Sequence, residues 1–114
     1  MELSYEDTGE LRVITVQEDR IDAAVAIQFK DRMRELTDTA PPRLLLDLSR
    51  VSFLDSSGLG AVVAAFKQAG PERRLELAGL TPTVEKVFKL TRMDSVFTIH
   101  AAVGDVTGLV ANAS

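Results

Sequence analysis

The chain of 114 residues suits one domain, and a hydrophobic content of 46% is enough to build a real core. It has no cysteine, which excludes disulfides and thiolate chemistry, and its net charge of −4 argues against nonspecific binding to nucleic acid. No apolar run approaches the roughly 20 residues that cross a bilayer, and the first residues do not read as a signal peptide. We therefore expect a single cytoplasmic domain over residues 1–114, with no membrane partner.

The N-terminal third predicts a hairpin followed by a helix. Residues 3–7 and 11–16 form the predicted strands on either side of Thr8-Gly9-Glu10, a plausible tight turn. Asp22 is the predicted N-cap of the helix, which ends before Pro41-Pro42. The apolar residues that share one face of this helix, at steps of three and four, are Val25, Phe29, Met33 and Leu36.

Beyond the two prolines, strands and helices alternate. The apolar run 43–48 predicts a strand covered on both faces, and a helix over 59–69 follows it and ends at Gly70-Pro71. The later elements are a strand at 75–78, a helix opening at Thr81-Pro82 with Thr81 as N-cap and Val84, Val87 and Phe88 buried, a strand at 96–99, and a weak helix within 104–114. This order predicts an α/β fold whose mixed sheet joins an N-terminal antiparallel hairpin to parallel strands.

The most distinctive stretch is Asp55-Ser56-Ser57-Gly58-Leu59-Gly60, here called the serine turn. It lies between a predicted strand and a predicted helix, where free N–H groups attract anions and where open α/β sheets place their sites. A serine here could carry a phosphate, although serine and glycine are also common in turns that only cap and bend the chain. Ser57 is the predicted N-cap, and Gly58 and Gly60 would allow close approach to the backbone.

Catalysis and metal binding receive little support from the residues. A serine nucleophile needs a base, and the only histidine, His100, lies near the end of the last predicted strand. Asp47 and Asp55 lie near one edge and could hold Mg²⁺ weakly, but no His or Cys accompanies them. The P-loop pattern does not occur either. We therefore predict no enzyme activity, no metal and no cofactor.

The segment from Leu46 to Gly60, which ends in the serine turn, closely resembles the signature of STAS domains, specifically of the stand-alone anti-sigma factor antagonists of bacteria. Arg20-Ile21-Asp22 is similar to that family's Gly-x-Leu-Asp element, and residues 80–84 and 90–97 are similar to its third helix and final loop. The resemblance implies a mixed sheet with helices packed mainly on one face, and an activity of binding instead of catalysis.

The resemblance also implies a phosphorylation switch. The unphosphorylated chain would bind an anti-sigma factor that is itself a GHKL-type serine kinase, and so free a sigma factor. The kinase would phosphorylate Ser56, the first serine, and a separate serine phosphatase would reverse this. The implied partner-binding residues are Asp22, Asp55, Ser56, Ser57, Gly58, Leu59 and Gly60, with Asp55 at the partner's active site. The chain would be a monomer or weak dimer without direct nucleic-acid contact.

Two departures from the family pattern leave the partner's identity open. Asp19 and Arg92 lie where the family usually has glycine. If residue 92 needs a left-handed backbone conformation, an arginine there costs conformational free energy. One alternative is a STAS module in another complex, such as a two-component or phosphatase-linked relay, a stressosome-like scaffold, or a lipid or ion transporter. The other is a nucleotide-binding STAS module that uses the same anion-friendly turn.

Overall fold

The computed structural model describes residues 1–113, and their side chains as far as residue 108. Its elements, in chain order, are β1 (Leu3–Thr8), β2 (Leu11–Val16), β3 (Arg20–Ile21), α1 (Ala26–Asp38), β4 (Arg43–Asp47), β5 (Phe53–Leu54), α2 (Ser56–Ala69), β6 (Arg74–Ala78), α3 (Pro82–Leu90), β7 (Ile99–His100) and α4 (Val103–Ala113). A short 3₁₀ turn, Met93–Ser95, separates α3 from β7. The α/β prediction is confirmed, including a helix at the C-terminal end.

Five strands form one mixed sheet in the order β1-β2-β4-β6-β7. β1 runs antiparallel to β2, and each later pair of neighbours is parallel, as the sequence predicts. The short strands β3 and β5 pair parallel with each other in a separate two-stranded ribbon. The sequence does not predict this β3–β5 ribbon, because strands of two residues carry no periodicity.

The sheet has a thick core on one face and a thinner one on the other. The larger core joins Ile14 and Leu77 of the sheet to Phe29 of α1 and Phe88 of α3, all fully buried. On the opposite face, a small cluster of α4 and sheet residues consists of Val106, Leu11, Leu45 and Ala78. Since α1, α2 and α3 share one face and α4 takes the other, the helices pack mainly on one face, as the resemblance implies.

The predicted start of α1 is wrong, whereas the predicted N-cap position of α3 is confirmed. α1 begins at Ala26 with Val25 in the N-cap position, so Asp22 does not cap it. The carboxylate of Asp22 instead accepts the N–H of Ala24 at 3.1 Å, inside the turn that precedes the helix. Thr81 does occupy the N-cap position of α3, but its hydroxyl donates to the carbonyl of Val51 at 2.7 Å and caps nothing.

The last strand also begins later than predicted, at Ile99 instead of residue 96. Phe97 is buried and its ring lies edge-on to Phe66 at 4.9 Å and to Phe88 at 5.7 Å. The apolar character of Phe97 therefore reflects packing against helices, whereas Val96 is exposed. An aromatic anchor and a strand give the same short apolar run in the sequence.

Two buried charged side chains connect elements away from the serine turn. Arg12 donates to both carboxylate oxygens of Asp7, at 2.7 and 2.9 Å, and to the carbonyl of Leu36 at 2.8 Å. Glu76 accepts from Arg43 at 2.8 Å and lies 2.6 Å from Nε2 of His100. His100 is thus a hydrogen-bonded residue of the sheet, and within the described residues it contacts neither serine of the turn.

Candidate functional site

The serine turn forms the start of α2 and directly follows β5, not the longer strand β4. Asp55 is the N-cap residue, and Ser56 and Ser57 are the first two residues of the helix. Both serines are exposed, whereas Gly58 is buried. Two hydroxyls therefore stand on the surface at a helix start, where N–H groups without helical partners favour an anion.

The cap of α2 is a carboxylate, and the prediction that Ser57 caps the helix is wrong. Asp55 Oδ1 accepts the N–H of Gly58 at 2.8 Å, which is the geometry of an N-cap. Asp55 Oδ2 accepts the N–H of Ala23 at 3.2 Å. Because Asp55 fills the cap position, Ser57 lies inside the first turn, and its hydroxyl has no hydrogen-bond partner among the described side chains.

Gly58 fixes the serine turn against the β3–β5 ribbon. A Cβ at this position would lie 1.9 Å from the carbonyl oxygen of Ile21, so only a hydrogen atom fits. The close approach predicted at Gly58 is therefore made by the chain's own backbone. At Gly60 a Cβ would meet nothing within 4 Å, so this glycine faces open space.

The predicted partner-binding residues do gather in one region, although they differ in exposure. Asp22 and Asp55 are joined through the backbone of Ala23, which follows one of them and donates to the other. Ser56, Ser57 and Gly60 are exposed. Leu59 is partly buried and packs against the main core, which makes most of its side chain structural.

The β3–β5 ribbon extends this region with residues that sequence reasoning missed. The guanidinium carbon of Arg20 lies 4.5 Å from the centre of the Phe53 ring, and Nε of Arg20 lies 3.5 Å from Oδ2 of Asp22. Arg20 and Phe53 are direct partners in the ribbon register. Since the ribbon itself carries no periodic signal, nothing in the sequence pattern pairs these two residues.

The two positions that depart from the family pattern have different physical explanations. Arg92 has φ +60° and ψ +20°, the left-handed conformation in which glycine is favoured. Asp19 does not need a glycine, because its φ is not positive. Its carboxylate accepts the hydroxyl of Ser52 at 2.5 Å, and its carbonyl accepts the N–H of the same residue at 2.8 Å.

The geometry of the acidic residues does not support a metal site. Both oxygens of Asp55 accept N–H groups, and Asp47 Oδ1 accepts the N–H of Ser49 at 2.9 Å. Within the described part of the chain, no group of three or more candidate ligands could hold a metal ion. In the same part of the chain, no helix has the length and apolar character that a membrane span requires.

Comparison with known proteins agrees with this fold. The STAS domain family matches residues 2–106. The chain belongs to the STAS domain family. It is 29% identical over 109 residues to an anti-sigma-B factor antagonist of Listeria monocytogenes, covering 95% of this chain and 94% of that protein.

Solved structures give the same result. An anti-sigma factor antagonist from Mycobacterium paratuberculosis superposes with a TM-score of 0.84 at 26% identity, covering 96% of this chain and 93% of that one. The fold is also shared with SpoIIAA, a cell fate determinant of Bacillus. Its unphosphorylated form has a TM-score of 0.75 at 24% identity and covers 97% of each chain. Its phosphorylated form has a TM-score of 0.69 at 23% identity, covering 96% of this chain and 99% of that one. These relatives are anti-sigma factor antagonists.

Proposed function

We propose that this protein is a cytoplasmic anti-sigma factor antagonist that is switched by phosphorylation of Ser56. Unphosphorylated, it binds an anti-sigma factor that is a GHKL-type serine kinase, and the bound kinase releases its sigma factor. Phosphate on Ser56 ends this binding, and a serine phosphatase restores it. The observation that carries the proposal is the exposed hydroxyl of Ser56 at a helix start that Asp55 caps.

The fixed backbone around Ser56 supports its role as a kinase substrate. Asp55 connects the start of α2 to the loop at Ala23 through hydrogen bonds, and the backbone of Gly58 packs closely against the carbonyl of Ile21. A kinase can therefore reach the hydroxyl without unfolding any element. Binding to a preformed surface also avoids the entropy cost of ordering a loop.

The charges near Ser56 explain how one phosphate could act as a switch. A phosphoserine adds about −1.5 to −2 charges and three acceptor oxygens. Asp55 directly precedes Ser56, and Asp22 is tied to the same turn through Ala23, so the new charge joins two carboxylates. Losing a docked contact of about 3 kcal/mol weakens binding roughly a hundredfold. The N–H groups at the start of α2 can donate hydrogen bonds to the phosphate and so stabilise part of its charge. We therefore expect little change in fold.

This proposal makes the chain a binding protein and a substrate, without catalysis of its own. Within the described residues, His100 pairs with Glu76 and both oxygens of Asp55 accept backbone N–H groups, and neither side chain is hydrogen-bonded to a serine of the turn. The exposed region that includes Asp22 and the serine turn is the proposed docking surface. SpoIIAA, which has this fold, is known in phosphorylated and unphosphorylated forms, which is consistent with a switch that acts on the surface.

The experiment that tests the proposal is phosphate mapping. The protein is incubated with its anti-sigma factor kinase and ATP, and the modified peptide is sequenced by mass spectrometry. We expect phosphate on Ser56 in the wild type and in Ser57→Ala, and none in Ser56→Ala. Because both serines are exposed, Ser57→Ala is a matched control. Phosphate on Ser57, or equal labelling of Ser56→Ala and wild type, would contradict the assignment.

A further inference from the structure

The β3–β5 ribbon presents a cation stacked on an aromatic ring beside the serine turn. The guanidinium of Arg20 lies over the ring of Phe53 at 4.5 Å, with 59% of its side chain exposed. Phe53 is itself one of the large apolar residues that stay exposed, at 36%. Arginine and aromatic side chains are enriched among the residues that dominate binding at protein interfaces.

This pair does little for the stability of the fold. The ion pair of Arg20 with Asp22 is long, at 3.5 Å, and exposed pairs of this kind contribute little. Phe53 keeps more than a third of its surface in water, so its burial is incomplete. An exposed aromatic that holds a cation in one place is better explained by contact with another molecule.

The pair is also held in a fixed position relative to Ser56. Arg20 and Phe53 face each other in the ribbon register, and Phe53 is followed by Leu54 and then by the cap residue Asp55. The contact of Gly58 with the carbonyl of Ile21 holds the other strand of the ribbon against α2. A partner that docks on Ser56 therefore meets the ribbon in the same orientation each time.

The charge of Arg20 contrasts with its surroundings and indicates what it binds. The acidic residues beside it are Asp19, which directly precedes it, and Asp22, and each already accepts a hydrogen bond within the chain. The guanidinium of Arg20, by contrast, has only the long 3.5 Å ion pair with Asp22 among the described residues, and 59% of its side chain is exposed. A planar guanidinium on an aromatic ring is suited to a carboxylate, which it can bind with two parallel hydrogen bonds.

We propose that Arg20 and Phe53 form a specificity contact for the anti-sigma factor, which places a carboxylate side chain on Arg20 and an apolar side chain on Phe53. This inference rests on the proposed function, because the partner is the same kinase. It adds that the partner surface is acidic opposite residue 20, although the charged residues of the docking surface itself, Asp22 and Asp55, are both acidic. A kinase with a basic residue at that point would be rejected by charge repulsion.

The test measures the affinity of charge-reversed variants for the kinase by isothermal titration calorimetry. We expect Arg20→Glu to weaken binding by at least tenfold. Arg34→Glu is the matched control, since Arg34 is an exposed residue of α1 and the net charge changes equally. Arg20→Lys, which keeps the charge and loses the planar stacking, should fall between Arg20→Glu and wild type.

A double-mutant cycle tests whether the two residues act together. Arg20→Ala and Phe53→Ala should each weaken binding severalfold, and the double variant should lose less than the product of the two effects. Unfolding curves will show whether a variant is folded, and Phe53→Leu replaces Phe53→Ala if it is not.

The result that overturns this inference is affinity within twofold of wild type for Arg20→Glu and Phe53→Ala. If Ser56→Asp weakens binding in the same experiment, the proposed function stands and only the specificity contact is wrong. If the unphosphorylated wild type does not bind the kinase at all, both proposals fail.

Discussion

Charged residues are used in opposite ways at the serine turn and in the two ion-pair networks around Arg12 and Glu76. In the networks the charges satisfy each other inside the protein, since Arg12 and Glu76 are only 5% and 2% exposed. Hydrogen bonds from Arg12 hold the pKa of Asp7 below its ordinary value. At the serine turn the carboxylate of Asp55 binds backbone N–H groups, and the serine hydroxyls are left on the surface.

This difference separates residues that hold the fold from residues that we propose meet a partner. A buried carboxylate with several cations around it is expensive to disturb, because its removal leaves uncompensated charge. An exposed hydroxyl on a fixed helix start costs little to modify, yet a phosphate there changes the surface strongly. We therefore expect phosphorylation at the serine turn to alter binding with little change in stability, and changes in the networks to do the reverse.

The largest effect is expected where the serine turn itself depends on packing. Gly58→Ala places a Cβ 1.9 Å from the carbonyl oxygen of Ile21, and we expect a loss of about 3 kcal/mol in unfolding free energy. Gly60→Ala is the matched control, because its Cβ meets nothing within 4 Å and alanine favours a helix by about 1 kcal/mol. Urea unfolding measures both, and equal stability of the two variants would show that the turn is not pressed onto the ribbon.

The next effect concerns the Glu76 network and its dependence on pH. Burial raises the pKa of Glu76, but hydrogen bonds from Arg43 and His100 outweigh this, so the net pKa lies below the ordinary 4.5. A lowered pKa stabilises the folded protein above pH 4.5, and this contribution disappears as the pH falls through the folded-state value. At pH 7 we expect Glu76→Gln to cost about 2 kcal/mol, less than for a fully buried pair because Arg43 is 31% exposed.

Urea unfolding in steps from pH 7 downward measures this dependence. The difference between wild type and Glu76→Gln should shrink as the pH drops below 4.5. The exposed Glu72 provides the control, since Glu72→Gln should change stability by under about 0.5 kcal/mol. A difference for Glu76→Gln that stays constant across this range would mean that the network does not stabilise the ionised carboxylate.

A smaller effect distinguishes the two candidate caps of α2. Asp55→Ala removes the acceptor for the N–H groups of Gly58 and Ala23, and we expect a loss of about 1 kcal/mol. Ser57→Ala should change stability by less than about 0.5 kcal/mol, because its hydroxyl caps nothing. Thermal unfolding of the two variants gives the comparison. A larger loss for Ser57→Ala would restore Ser57 as the cap.

The smallest effect is a gain in stability at a position that belongs to neither region. Arg92 adopts φ +60°, which costs a residue with a Cβ about 1–2 kcal/mol. Glycine avoids this cost, but its greater conformational freedom in the unfolded chain offsets part of the stabilisation. We expect Arg92→Gly to stabilise the protein by about 0.5 kcal/mol. Arg92→Ala keeps the Cβ and should not stabilise it, so a gain in that variant would point to the guanidinium instead of the backbone.

The sequence predicts the main sheet well because its strands are long enough to show a pattern. The strand 11–16 is found at the predicted residues, and the run 43–48 is a buried strand that ends one residue earlier. The β3–β5 ribbon is missed because two-residue strands have no period and pair residues far apart in the sequence. The contact of Arg20 with Phe53 is missed for the same reason.

The helix caps show a second limit of sequence reasoning. Ser57 and Asp55 are both good N-cap residues, and the choice between them depends on where α2 begins. The close approach of Gly58 to Ile21 sets that start, and no local pattern contains it. The position of the serine turn was therefore predictable, whereas the division of roles within it required the fold.

The central claim is that a phosphate on Ser56 controls binding, and calorimetry of the kinase with both forms of the protein tests it most directly. The unmodified chain and Ser56→Ala should bind with the same affinity. The chain phosphorylated on Ser56 should bind about a hundredfold more weakly, which corresponds to about 3 kcal/mol. Affinities within twofold of each other for the phosphorylated and unmodified chains would contradict the account.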